Sequence, residues 1–163
     1  MERAVNEGTH IFDVLDAHSS HLVEYFEPIF GTNAPDFSNR LMRLLKHDLV
    51  GSNLLVLDRL EVLPQYRGQQ VGLDVMRHML RRFSAGAGAV AIKPFPLQFE
   101  VSPPGDDEMK WREELQLERL PKDKRLATSK LCDYYKKLGF IRLGRTPFMV
   151  RATTWPVPSA ATV

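Results

Sequence analysis

From Leu54 to Leu63 the chain is apolar except at Asp58, Arg59 and Glu61, and from Gln65 to Gln70 it turns polar and glycine-bearing. Beyond that turn, Leu73, Met76, Met79, Leu80 and Phe83 recur at helical spacing within about a third of the circumference, with Asp74, Arg77, His78, Arg81 and Arg82 elsewhere. This order predicts a strand, a turn and a helix that packs one face on a sheet. Ser84 to Gly88 ends the helix. Ala89-Val90-Ala91-Ile92 then suits a buried parallel strand, because strand, helix and strand in one sheet form a crossover unit. Lys93-Pro94-Phe95-Pro96 stops it.

The flanking segments are read the same way. His10 to Leu15 reads as a short strand, and Ser19 or Ser20 can cap a helix that runs to Glu27 before Pro28 and Gly31 stop it. A second helix is expected from Phe37 to Leu49, with Leu41, Leu44, Leu45 and Leu49 near one side, until Gly51-Ser52-Asn53 breaks it. Downstream, Leu97 to Leu120 is an insertion, turn-rich at first and then a highly charged helix from Asp106. Pro121 and Asp123 open another helix to Leu138, with Ala127, Leu131, Tyr134, Tyr135 and Leu138 on its apolar face and Gly139 as its C-terminal cap. Phe140 to Leu143 and Phe148 to Ala152 make a terminal hairpin, and the tail after it, Thr153 to Val163, packs through Trp155 if it packs at all.

Composition narrows the class. With 163 residues and 44% apolar content the chain reads as a single domain over 1–163, large enough to bury a core without metal or disulfide. One cysteine, Cys132, cannot form an internal disulfide and sits in an expected helix as a packing residue, so a reducing cytoplasm fits best. No apolar run approaches the about 18 residues that cross a membrane, and the polar N-terminus does not resemble a secretory signal. A formal net charge of +2 gives no electrostatic case for nucleic acid or a membrane surface. The C-terminal part is nevertheless basic, with Lys122, Lys124, Arg125, Lys130, Lys136, Lys137, Arg142, Arg145 and Arg151, which could help attract an anionic ligand. Asp13, Asp16, His18 and His21 are the one cluster suggestive of metal, but they lack a recognised ligand spacing, so no metal is expected.

The strand, turn and helix at the centre suit a phosphate, since the first amides of a helix have no partner within it and carry partial positive charge. The segment Val62-Leu63-Pro64-Gln65-Tyr66-Arg67-Gly68-Gln69-Gln70-Val71-Gly72 resembles motif A of the GNAT superfamily of acyl-CoA-dependent N-acyltransferases, a strand ending in Val-x-Pro followed by Arg-Gly-x-Gly-x-Gly. A second family signature, Tyr-x-x-x-Gly-Phe, stands downstream as Tyr135 to Phe140. The resemblance covers Leu54 to Arg151 and implies an α/β fold with a mixed central sheet flanked by helices. The N-terminal third is atypical, because it lacks the paired strands that normally precede the donor strand. A shortened sheet would leave an edge suited to pairing two copies, which makes a homodimer a candidate assembly.

The resemblance also assigns roles. The amides of Gly68, Gln69, Gln70, Val71, Gly72 and Leu73 would cradle the diphosphate of acetyl-CoA, with Arg67 adding charge beside them. Gln70 stands where the family usually has its middle glycine, so its side chain is expected to crowd the phosphate or to alter the turn. The donor strand and the next one would splay, freeing backbone groups near Leu60 and Val62 for pantetheine and the thioester carbonyl. Tyr135 would serve as general acid toward the departing thiolate, although the edge of an apolar helix face also suits a packing tyrosine. Tyr134 is expected in the core. Asp58 is the first candidate for the base that deprotonates the amine, and Glu61, on the opposite strand face, is the second. The insertion would shape the acceptor pocket, with Gln98 and Glu100 available to a polar acceptor.

Acetyl transfer to a primary amine on a small molecule or peptide is therefore the expected function. A non-catalytic acyl-CoA-binding or partner-binding module of the same fold is the alternative, and a nucleic-acid binder is a distant third.

Overall fold

The computed structural model describes residues 11–18, 20–101 and 106–159. Helices α1 (Ile11–His18), α2 (Ser20–Val23), α3 (Phe26–Ile29) and α4 (Asn39–Leu44) precede the first strand. Strand β1 (Leu54–Val56) leads through the turn to α5 (Val71–Phe83) and β2 (Ala89–Ile92). Helices α6 (Asp106–Glu114) and α7 (Lys124–Lys136) follow, and the hairpin β3 (Ile141–Arg142) and β4 (Met149–Ala152) completes a mixed four-stranded sheet. The sheet order is β1-β2-β4-β3, with β1 parallel to β2 and β4 antiparallel to both its neighbours.

The N-terminal third differs most from the sequence pattern. The segment read as a strand up to Leu15 is helical in α1, while His10 lies outside the described residues. Helical geometry brings Phe12 edge-on to Phe26 at 5.5 Å and buries Leu15, three residues on, in the same core. The single helix expected to run to Glu27 is two short ones, and Pro28 sits inside α3 rather than after it. In a first turn the missing N–H has no acceptor to lose, so proline is tolerated there. Ser19, one of the two expected caps, is outside the described residues. The second helix is shorter than expected: Ser38 caps α4 by accepting from the Leu41 N–H at 3.3 Å, and Lys46 and His47, with φ of 56° and 58°, end the helical run before Leu49.

Alternation along β2 organises the two layers. Ala89 and Ala91 face a core made by Tyr25, Ile29, Phe30, Phe37 and Leu41 from the N-terminal helical region. Val90 and Ile92 face the opposite core, with Leu73, Met76 and Leu80 of α5 and with Cys132, Tyr135 and Leu138 from α7 and its end. The terminal helix begins as expected, with the Asp123 carboxylate accepting from the N–H groups of Arg125 and Leu126 at 2.8 and 3.0 Å, and Gly139 follows it at φ 81°. Among the described residues no helix is long and apolar enough to cross a membrane.

Helix α5 is rotated from the expected face. Met79 and Phe83 are exposed, whereas Arg77 is buried, its guanidinium bonded to Asp74 at 2.6 Å and to the Pro158 carbonyl at 3.0 Å. The long aliphatic stem of arginine lets it lie in a core if its head finds acceptors. Arg151 does the same on β4 and is only 1% exposed. It therefore cannot belong to the basic surface that the sequence suggested. Its guanidinium donates to the carbonyls of Leu138 at 2.7 Å, Trp155 at 2.6 Å and Pro156 at 3.3 Å, which pins the tail to the end of α7. Burial alone pulls its pKa below the ordinary arginine value.

Replacing Arg151 with Met keeps much of the volume but orphans these carbonyls. Urea unfolding is expected to show a loss of about 3 kcal/mol, at about 1–3 kcal/mol for each acceptor left dry. A loss below about 0.5 kcal/mol would mean that the arginine does not hold the tail.

Candidate active site

The ladder between β1 and β2 ends where the Leu57 N–H donates to the Ala91 carbonyl at 3.0 Å. Beyond that bond the chain from β1 leaves the sheet while β2 runs on to Ile92 beside β4, so the strand expected to reach Val62 stops at Val56. A cavity of about 800 Å³ opens there. Residues 58–62 form one wall, the turn from Tyr66 to Leu73 another, and residues 93–98 a third; Leu115, Leu117 and Leu120 of the insertion and one face of α7 enclose the rest.

Of the residues singled out in the sequence, Asp58, Leu60, Glu61, Val62, Arg67, Gly68, Gln70, Val71, Gly72, Leu73 and Tyr135 all line this cavity. Gln69 does not; its side-chain amide donates to the Gln65 carbonyl at 2.6 Å and closes the turn on itself. Gln70 stands at the end of the turn and lines the cavity. It adopts φ 62° and ψ 4°, the left-handed conformation that glycine adopts most easily, and its side chain is exposed. No side chain caps α5, so the amides of Val71, Gly72 and Leu73 lack helical acceptors at the cavity wall.

Two glycines serve different purposes. Gly68 has φ 77° and a Cβ there would meet open space, so the requirement is conformational. Gly72 is a matter of room: a Cβ would press on the Tyr134 hydroxyl and lie 3.2 Å from Val62 Cγ2 and 3.3 Å from Leu60 Cδ2. Tyr134 is consequently half-buried at the turn rather than in the core. Its spacing on the helix could not reveal this, because the contact depends on how closely α5 and α7 approach.

The charged side chains are sorted by their partners. Arg67 donates through Nε to the Val62 carbonyl at 2.9 Å and through Nη2 to the Leu115 carbonyl, clamping the insertion to the turn. The Val62 carbonyl thus already accepts one hydrogen bond from within the protein. Glu61 is held by Arg59 at 2.6 Å and by the Trp111 indole, and Glu100, expected to face an acceptor, is held by Arg59 at 2.9 Å and Arg112 at 3.4 Å. Gln98 donates to the Pro121 carbonyl at 2.9 Å. These bonds dock α6 against the cavity wall. Among the described residues no cation or hydrogen bond holds Asp58, which leaves it the available carboxylate. Lys130 and Lys137, from the basic C-terminal part expected to attract an anionic ligand, line the cavity, as does Lys93.

Tyr135 is buried beside Tyr134, ring centroids 5.5 Å apart, and Phe140, at 6.3 Å. Burial above all, then the neighbouring Tyr134 and Cys132, pushes its pKa up from 10.0 to about 12. Such a phenol remains a hydrogen-bond donor throughout the neutral range. Because the folded value exceeds the unfolded one, its contribution to stability is whole below about pH 10 and is lost as pH rises through about 12. Urea denaturation at pH 9 and pH 11.5 is expected to show this loss, at most about 2 to 3 kcal/mol, reduced in Tyr135→Phe. Equal losses in the two proteins would remove Tyr135 as the cause. No model of a known protein family matches this chain, and no curated protein or solved structure does either.

Proposed function

We propose that the chain is a GNAT-type N-acyltransferase that moves an acetyl group from acetyl-CoA to a primary amine by direct attack. The observation that carries this reading is a single cavity where parallel strands part, an uncapped helix N-terminus follows an Arg-Gly turn, and Tyr135 meets both. The amides of Val71, Gly72 and Leu73, with Arg67 nearby, suit a diphosphate. The mixed sheet with helices on both faces suits the same family.

The chemistry needs no protein nucleophile. The amine nitrogen attacks the thioester carbonyl carbon, a C–N bond forms as the C–S bond breaks, and coenzyme A leaves as thiolate. Asp58 takes the ammonium proton, since Glu61 is engaged by Arg59. Tyr135 stabilises the developing thiolate by a hydrogen bond. Complete proton transfer from a phenol at about 12 to a thiolate near the ordinary value of about 8.5 is uphill, so the proton that the thiol finally gains comes from water. Holding both reactants in one cavity supplies much of the remaining advantage.

One observation favours the non-catalytic alternative. With the Val62 carbonyl already accepting from Arg67, pantetheine would have to share that oxygen. Calorimetric titration with acetyl-CoA followed by thiol release across a panel of primary amines separates the two readings. The transferase is expected to bind and turn over, with kcat in Tyr135→Phe reduced about a hundredfold. Binding without thiol release for any amine would select the module, and absence of binding would overturn both.

A further inference from the structure

The two ends of the cavity differ in chemistry. The insertion spans it: the Leu115 carbonyl is tied to the turn by Arg67, while residues 117–119 lie close to residues 97–99 and the Pro121 carbonyl accepts from the Gln98 amide at 2.9 Å. Lys124 lies over the Phe95 ring, 5.2 Å from its centroid, and fastens the start of α7 to the same wall. Phe95, Leu97, Leu117, Leu120 and Pro121 therefore enclose the end remote from the turn. Their side chains offer a ligand neither charge nor hydrogen bond.

Charged groups are distributed differently. Lys130, Tyr134 and Lys137 follow one another at helical spacing along α7 and its end, and the Tyr134 hydroxyl lies against Gly72. The two exposed ammonium groups thus stand on the face that meets the turn, where a diphosphate fits. Glu61 is engaged by Arg59 and the Trp111 indole, Lys93 by Glu24, and Gln98 by the Pro121 carbonyl. Asp58, where β1 has left the sheet, is exposed and has no such partner among the described residues. A ligand that sets one ammonium at Asp58 and extends away from the turn runs along apolar side chains.

We propose that the acceptor is a monoamine with an apolar body, whose ammonium meets Asp58 and whose carbon skeleton occupies the end enclosed by the insertion. The inference rests on the transferase reading and names its substrate class. Packing the skeleton against leucine and phenylalanine supplies affinity in proportion to the area removed from water. Hydroxylated or zwitterionic amines lose there the water that solvates their polar groups and find no side chain to replace it. Polyamines also meet Lys130 and Lys137, whose charges repel a second ammonium. The skeleton takes no part in bond making, so it acts through binding alone.

Propylamine and hexylamine share the same basicity and differ only in chain length, which makes them the probes. With acetyl-CoA as donor, kcat/KM is expected to rise about fiftyfold from propylamine to hexylamine, at about fourfold for each methylene buried, and to fall about tenfold from propylamine to spermidine. In Leu120→Ser the gain from propylamine to hexylamine should shrink to about tenfold or less. A flat series in the wild type, an undiminished gain in Leu120→Ser, or a preference for spermidine overturns the proposal. A rate that rises when octanoyl-CoA replaces acetyl-CoA, with propylamine as acceptor, assigns the apolar end to the donor and also overturns it. Wild-type protein that releases no thiol with any amine instead defeats the transferase reading. Calorimetric titration of propylamine and hexylamine then decides the apolar site by itself, and equal affinities overturn it.

Discussion

Everything in this fold depends on β2 being buried on both faces. Four small or branched residues, Ala89 to Ile92, alternate between two cores, and this lets helices built from distant parts of the chain cover one sheet from either side. Such a strand has no solvent face, so its neighbours must satisfy its backbone throughout its length. β1 and β4 do so within the sheet, and the thread that continues from β1 turns away after Leu57. The cavity is the direct result of that departure. Protein closes it on several sides, and the polar groups that enter it come from segments freed from ladder geometry.

The Arg-Gly turn and the insertion then meet through a few directional bonds. Arg67 joins the Val62 carbonyl to Leu115, and the Glu61, Arg59 and Glu100 network fastens α6 alongside. Most of the conspicuous charges at the cavity rim are therefore consumed in holding the wall together. Exposed ion pairs of this kind contribute little to stability, and their value lies in fixing geometry. Asp58 is the carboxylate that these bonds leave over at the cavity wall.

Much of this was legible in the sequence where periodicity and capping act locally. β2 and the start of α7 follow their apolar and polar patterns directly, and the turn before α5 declared itself through Arg67, Gly68 and Gly72. The N-terminal third was not legible, because a short apolar run such as Ile11 to Leu15 fits a strand or a helix equally, and the choice was made by Phe12 meeting Phe26. The rotation of α5 escaped for a similar reason: nothing in the spacing of Arg77 announces that Asp74 and a carbonyl in the tail wait for its guanidinium. Tyr134 takes its meaning from elements far away in the chain. Such contacts become visible only when the layers are assembled.

The position of Arg151 constrains the order of events during synthesis. β4 lies between β2 and β3, yet the acceptors that allow its arginine to be dehydrated include the carbonyls of Trp155 and Pro156, which follow it in the chain. Until that segment has emerged from the ribosome, β4 can enter the core only with its guanidinium short of acceptors, so the sheet closes after the residues that follow it are available.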